Sequence, residues 1–318
     1  MTNPFANIYD VKLAMENPLV SIVTVNYDHP DVTCALLESL LHITYPKIEI
    51  IVVDNASPHD DPAIIPRSYP EVIFIQSKEN LGFSGGNNLG IRRAKGKYIL
   101  MLNNDTEVEV GFLEPLVAKL ESNHKIGAVS PKIKFFDQPD IIQFSGQAPM
   151  NPYTMRSHGY GHGAKDNGQF DHDALTNYAH GAAMMIPLDV IKTVGLMSEI
   201  YFLYYEELDW GARIRAVGYE LWYVHNSTVM HKESVSTGKL SPFKTFYMNR
   251  SRLLYLRRNV HGFAYMIALL YQLFVAVPKN ALTFIVKRQK GHFKAYAGAA
   301  MWHIKNLFNR NIHINPTL

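Results

Sequence analysis

Hydrophobic positions are distributed along this chain in two rhythms. Four short, nearly continuous apolar runs rich in β-branched residues, LVSIVTVNY, IEIIVVDN, VIFIQS and KYILMLNND, follow one another before residue 106. Between them lie segments that can form helices, Val32 to Leu41 and Asn87 to Ala94 most clearly. A strand that is apolar on both faces needs cover on both faces, so the alternation predicts an α/β fold with a mostly parallel central sheet flanked by helices.

Further along, Ile141 to Tyr178 is rich in Gly, His, Asn and Pro, has no clear period, and reads as a long loop region. Order returns with NYAHGAAMMIP, a strand, and LDVIKTVG, a short helix closed by Gly195. A helix from Glu206 to Val217 then stops at Gly218, and ELWYVHNSTVMH reads as an edge strand. Near the C-terminus, Phe263 to Val277 is apolar and is then stopped by Pro278, short of the roughly 20 residues that a spanning helix needs. The next segment, ALTFIVKRQKGHFKAYAGAAMWHIKNLF, mixes Lys and Arg with aromatic residues, as helices lying in a lipid headgroup region do. The expected organisation is an arm over residues 1–18, one domain over 19–259, and an amphipathic, membrane-associated helical region over 260–318.

Composition narrows the class. At 318 residues and 47 % hydrophobic the chain can bury a large core, and a net charge of +3 gives no argument for a nucleic-acid partner. The one cysteine, Cys34, excludes an internal disulfide and suits a reducing compartment. The N-terminal MTNPFANIYDVKLAMENP lacks the basic start and apolar run of an export signal, so a cytoplasmic location is expected. His158, His162, His172 and His180 match no standard zinc spacing.

In a doubly covered sheet, ligands bind where the strands' carboxyl ends open into loops. Those ends read Asn26-Tyr27, Asp54-Asn55 and Asn103-Asn104-Asp105, so polar groups collect along one edge. Each alone could be a turn former. Glu206, Glu207 and Asp209 open a helix, where the helix dipole favours ionised carboxylates. The aromatic lead-in YFLYY would set these acids at a pocket mouth, where one could act as a general base. A pyrophosphorylase-type nucleotidyltransferase would want a Gly-rich, basic loop after the first strand, and a dinucleotide-dependent oxidoreductase a G-x-G-x-x-G; NYDHPDVT stands there instead.

The ordered set VSIVTVNY, VVDNAS, NLGFSGGNNLGI, LMLNNDTEV, HGAAMMIP, FLYYEELDWGARIRAVGY and VMHKESVS resembles the family 2 inverting glycosyltransferases of the GT-A fold, most closely their rhamnosyltransferase-like branch. The resemblance covers about Leu19 to Asn259 and implies roles by position. Asp54 would read the nucleotide's pyrimidine, with Thr24, Asn26 and Tyr27 beside it. Gly85, Gly86 and Asn87 would form a turn approached closely by the nucleotide. Asn103-Asn104-Asp105 stands where the family has Asp-any-Asp, the signature that holds a divalent cation, Mg²⁺ or Mn²⁺, on the sugar diphosphate. Since Asn103 carries no charge, Asp105 would be the main anionic ligand, His231 its partner, and Asn104 a spacer or donor contact. Glu207 would be the catalytic base, with Glu206 the runner-up, and Asp209 and Trp210 would bind the acceptor. Gly181, Ala182 and Ala183 would border the donor sugar, Tyr204 and Tyr205 could stack on sugar faces, and Arg250 would either neutralise the diphosphate or lie on a surface helix.

The implied activity is inverting, cation-dependent transfer of a hexose from a nucleotide-diphosphate sugar to a glycan or lipid-linked glycan. The branch favours dTDP-L-rhamnose, cell-surface polysaccharide synthesis and a peripheral place on the inner face of the cell membrane. UDP-hexose or UDP-galactofuranose transfer, or a non-catalytic assembly subunit of this fold, remain as alternatives, and the oligomeric state is open.

Overall fold

A computed structural model describes residues 17–232 and 241–318. Residues 1–16 of the expected arm, and ESVS at the end of the last signature, lie outside the described residues.

All four apolar runs are strands: β1 (Val20–Asn26), β2 (Ile48–Asp54), β3 (Ile73–Gln76) and β4 (Tyr98–Leu102), with helices α1 (Pro30–Leu40), α2 (Ile64–Ser68) and α3 (Gly82–Arg93) between them. There follow β5 (Thr106–Val108), α4 (Leu113–Ser122), β6 (Ile126–Phe135), β7 (Gln138–Phe144), β8 (Ala174–Leu175), β9 (Ala183–Pro187), α5 (Leu188–Val194), α6 (Glu206–Ala216) and β10 (Glu220–His231). The sheet runs β3-β2-β1-β4-β9-β6-β10-β5, with β7 on β6 and β8 on β10. β1 pairs in parallel with β2 and β4, β2 with β3, and β6 with β10, while β9 lies antiparallel between β4 and β6. Six strands therefore point one way, and the start of β9 comes to the same edge as their ends.

Successive side chains of one strand enter opposite cores. Leu100 and Leu102 join Leu36, Leu37 and Leu116 on one face, whereas Ile99 and Met101 join Ile91, Met184 and Trp210 on the other. Double burial is the reason these runs lack a polar face. Helix α3 starts five residues earlier than the periodicity suggests, because Asn55 Oδ1 accepts from Leu81 N–H at 2.9 Å and Asn80 Oδ1 from Gly82 N–H at 2.9 Å. Gly85, Gly86 and Asn87 are therefore helical rather than a turn. A Cβ on Gly86 would meet Val25 at 2.9 Å, so this glycine serves close packing on β1.

Strand β10 is interior, not an edge. The short β5 and β8, three and two residues long, pair with it and carry too little pattern to be seen in sequence. The expected loop region begins inside β7 and contains β8; its remainder is tied to the sheet by Lys132, whose buried ammonium lies 3.1 Å from Asp166 and 2.5 Å from Asp171.

The C-terminal region holds α7 (Pro242–Asn259), α8 (Gly262–Tyr271), α9 (Val277–Val286) and α10 (Lys290–Lys305). Pro278 does not end the helix. A π turn at Gln272–Ala276 precedes it, and this widened turn lets the continuous helix accommodate the proline ring and its missing donor. The continuous helix Gly262–Val286 has 25 residues, long and apolar enough to cross a membrane.

Candidate active site

A cavity of about 600 Å³ opens at the edge where β1, β4 and β10 end and β9 begins. Its lining includes Tyr27, Asn87, Asn103, Asn104, Asp105, Gly181, Ala182, Tyr204, Glu206, Glu207 and His231. Residues more than 200 positions apart thus share one space, because the parallel arrangement sends each strand's polar end to the same side.

One wall rests on strand ends. Asn103 N–H donates to Ala182 O at 2.9 Å, and Lys232 N–H to Asp105 O at 2.9 Å, so main-chain bonds fix both ends of the NND segment. Asp105 Oδ1 lies 3.1 Å from His231 Nε2, and His231 Nδ1 lies 2.7 Å from Gln143 Oε1. The His231 ring therefore sits between the Asp105 carboxylate and the Gln143 side-chain amide. A carboxylate oxygen and an imidazole nitrogen side by side at the cavity wall are the kinds of donor a divalent cation takes. A carboxylate and an imidazole fit a divalent ion whose remaining positions go to phosphate oxygens and water. Among the described residues no group of three or more His, Cys, Asp or Glu converges to complete such a site from protein alone.

The second wall is the start of α6. Glu206 is 3 % exposed, and its Oε2 has no hydrogen-bond partner. Burial, then the neighbouring Glu207 charge, pushes its carboxyl well above the usual range. Burial likewise raises Glu207 to about 7, against backbone N–H groups that favour its ionised form. The helix-dipole expectation of two ionised acids is corrected here: desolvation outweighs the dipole, which is worth at most about 2 kcal/mol. Burial thus favours the protonated form of Glu206, while Glu207 titrates near neutral pH.

The segment leading into α6 is unusual. Phe202, Tyr204 and Tyr205 all have positive φ, at 60°, 66° and 73°. Non-glycine residues hold such conformations only when their surroundings enforce them. Helix α7 supplies that enforcement: the Arg250 guanidinium donates to Ile200 O at 2.9 Å and to Tyr201 O, Ser251 Oγ donates to Leu203 O at 2.9 Å, and Arg252 Nε donates to Tyr205 Oη at 2.9 Å.

Several sequence expectations move. Arg250 is buried and serves as this clamp rather than lying on a solvent-exposed helix face. Trp210 is fully buried and its indole donates to Gly195 O at 2.8 Å. Asp209, also buried, pairs with Arg258 at 2.9 Å and Arg213 at 3.0 Å; burial opposes its charge, but these cations hold its carboxyl below the usual range. Neither lines the cavity, so the expected acceptor contacts do not form there. Asp54 is fully buried behind the wall, accepting from Asn26 Nδ2 at 2.9 Å and Ser57 Oγ at 2.5 Å; Asn26 in turn accepts from Thr33 at 2.7 Å. Thr24, Gly85, Gly86, Ala183 and Tyr205 also fall outside the lining.

Two residues that the sequence did not place at the site lie there, Gln143 of β7 and His180 just before β9. Gln143 fixes the His231 ring, and His180 lines the cavity between the two walls. Ala182 N–H donates to His180 Nδ1 at 3.1 Å, so the neutral ring carries its proton on Nε2. Burial, chiefly, drives its pKa down to about 3. His180 is thus a permanently neutral imidazole donor. Metal-spacing arithmetic could not find it, though its place next to Gly181 at the start of a strand was a usable signal.

The chain is 26 % identical over 251 residues, 74 % of each chain, to the low-salt glycan biosynthesis hexosyltransferase Agl10 of Haloferax volcanii. It is 22 % identical over 241 residues, 70 % of this chain and 78 % of the other, to the N-acetylglucosaminyl-diphospho-decaprenol L-rhamnosyltransferase of Mycobacterium tuberculosis. The fold is similar to that of a mannosyltransferase, PcManGT from Pyrobaculum calidifontis, in complex with GDP-Man and Mn²⁺, with a TM-score of 0.57 and 15 % identity over 96 % of this chain and 88 % of that one. The sequence model of glycosyl transferase family 2 matches residues 21–186, from β1 through β9, and the chain belongs to that family as a glycosyltransferase of the GT-A fold.

Proposed function

We propose that the protein is an inverting, divalent-cation-dependent enzyme that transfers a sugar from a nucleotide diphosphate to a hydroxyl of a glycan or lipid-linked glycan at the cytoplasmic membrane face. The observation that carries this reading is the opposition of two walls in one cavity: Asp105 with His231 on one side, and Glu207, poised near neutrality, on the other.

The chemistry is a single displacement. Glu207 takes the proton of the acceptor hydroxyl while that oxygen forms its bond to the anomeric carbon. The bond from that carbon to the diphosphate oxygen breaks, its electron pair stays with the departing nucleoside diphosphate, and the configuration inverts. A general base near its working pH is at its most effective there. A divalent cation held by Asp105 and His231 would neutralise charge growing on the diphosphate. The carboxylate and imidazole donors suit Mn²⁺ better than Mg²⁺, which prefers oxygen ligands alone. His180, kept neutral, offers its Nε2–H to a sugar or phosphate oxygen without adding charge, and Tyr27, Asn103 and Asn104 border the same space.

dTDP-L-rhamnose is the preferred donor, supported by the seven ordered signatures and by the rhamnosyltransferase among the relatives. A panel of dTDP-L-rhamnose, UDP-hexoses and UDP-galactofuranose, assayed for donor hydrolysis with Mn²⁺ and with EDTA, tests the reading. Turnover of one donor, abolished by the chelator, is expected. Turnover indifferent to EDTA, or of no nucleotide sugar, refutes it.

A further inference from the structure

The C-terminal helices carry two features that donor chemistry does not use. From Ser241 onward the sequence has twelve Lys and Arg and not one Asp or Glu, so all 28 acids of the chain precede this region. The helix Gly262–Val286 also presents an apolar face to the outside: Phe263 is 75 % exposed, Leu270 53 %, Phe274 73 % and Val286 72 %. Lys287, Arg288, Lys290 and Lys294 are exposed at the end of that face.

The opposite side of the same helix is fixed to the protein. Ala268 is fully buried, Gln272 is 5 % exposed and donates to Thr154 O at 3.4 Å, and Phe284 stacks on His292 of α10 at 5.8 Å and 16°. A helix tied at Ala268 and Gln272 to the catalytic domain and at Phe284 to α10 cannot stand upright across a bilayer without breaking these contacts. It can lie flat, its apolar half-cylinder among acyl chains and its cations at the headgroups.

We infer that the Phe263–Val286 face docks in the plane of an anionic lipid surface, where Lys287, Arg288, Lys290 and Lys294 engage the headgroups. The inference builds on the placement of the reaction at the membrane. It also brings the cavity to the lipid: Phe243 and Lys244 of α7 line the cavity, and the next residue, Thr245, lies 2.7 Å through its hydroxyl from His292, on which Phe284 stacks. A lipid-anchored acceptor would be met at the rim.

The test is cosedimentation of the full chain with phosphatidylcholine vesicles, with and without 30 % phosphatidylglycerol, at low and high salt, with analytical ultracentrifugation of the free protein. Expected are binding to the anionic vesicles alone, release by salt or by Lys287→Glu with Arg288→Glu, and at least a tenfold loss of binding in Leu270→Glu with Phe274→Glu. That second variant should hydrolyse the donor in vesicle-free solution at the wild-type rate. Equal binding to neutral vesicles, binding that survives both salt and alkaline carbonate, or a dimer that Leu270→Glu with Phe274→Glu dissociates would each overturn it, the last two pointing to a spanning helix and to a second copy of this chain. Binding is read independently of turnover, so its failure is distinguishable from a wrong donor or cation.

Discussion

The two walls of the cavity are held by different means. Asp105 and His231 sit at the ends of strands, and main-chain bonds to Ala182 and Lys232 place the segment that carries Asp105. Glu206 and Glu207 follow three residues with positive φ, and side chains of α7 hold that lead-in from outside the sheet. The Asp105 wall is therefore held by backbone pairing, whereas the acid wall depends on a clamp. The electrostatics differ as well. One wall pairs unlike groups, and the other crowds two acids into a dry place, which is what brings a carboxyl to neutrality.

The sharpest way to break this comparison is at Glu207. Glu207→Gln keeps the shape and removes the base, so kcat should fall by about a thousandfold, within the usual range for general-base loss. In the wild type, activity requires the ionised carboxylate. A folded pKa raised to about 7 means that kcat/KM climbs with pH up to about 7 and levels above it, lost again on acidification. A profile that is level from pH 5 to 8 would contradict the assignment.

A smaller effect is expected at Gln143, which holds the His231 ring. Gln143→Leu removes the side-chain amide that orients His231 and should weaken Mn²⁺ affinity by about 10- to 100-fold, measured by calorimetry or by the Mn²⁺ dependence of turnover. The pH profile should stay where it is, because Glu207 is untouched. The smallest change is expected at the clamp. Arg250→Ala frees the carbonyls of Ile200 and Tyr201, and a slightly displaced acid wall should lower kcat by about tenfold at constant donor KM and constant Mn²⁺ dependence. If the donor KM rose instead, Arg250 would act on the diphosphate as the sequence had allowed.

Much of the scaffold is legible before folding. Four apolar runs announce the parallel strands, since burial on both faces removes any polar position. Asn103-Asn104-Asp105 stands out because an abrupt polar ending to such a run has no packing reason. The C-terminal half is less legible for identifiable causes. Strand β10 reads as an edge because β5 and β8 are too short to show a period. Trp210 and Asp209 look like contacts beside a pocket, yet they turn inward, since the helix period places them on the face that meets α5 and α7. Pro278 reads as a stop because a π turn leaves no trace in composition.

By itself the sequence determined the sheet, its ligand-bearing edge and the candidates along it, because strand and helix patterns depend on local alternation and on residue type. Only the tertiary structure decided which candidates meet. It joined Asp105 directly to His231, whose other nitrogen meets Gln143, turned Asp54, Asp209 and Trp210 away from the cavity, and brought His180 into it. It also raised the carboxyls of the acid pair above the range that the helix dipole suggested. A carboxylate's ionisation depends on what surrounds it in three dimensions, and no one-dimensional pattern records how much water a fold removes.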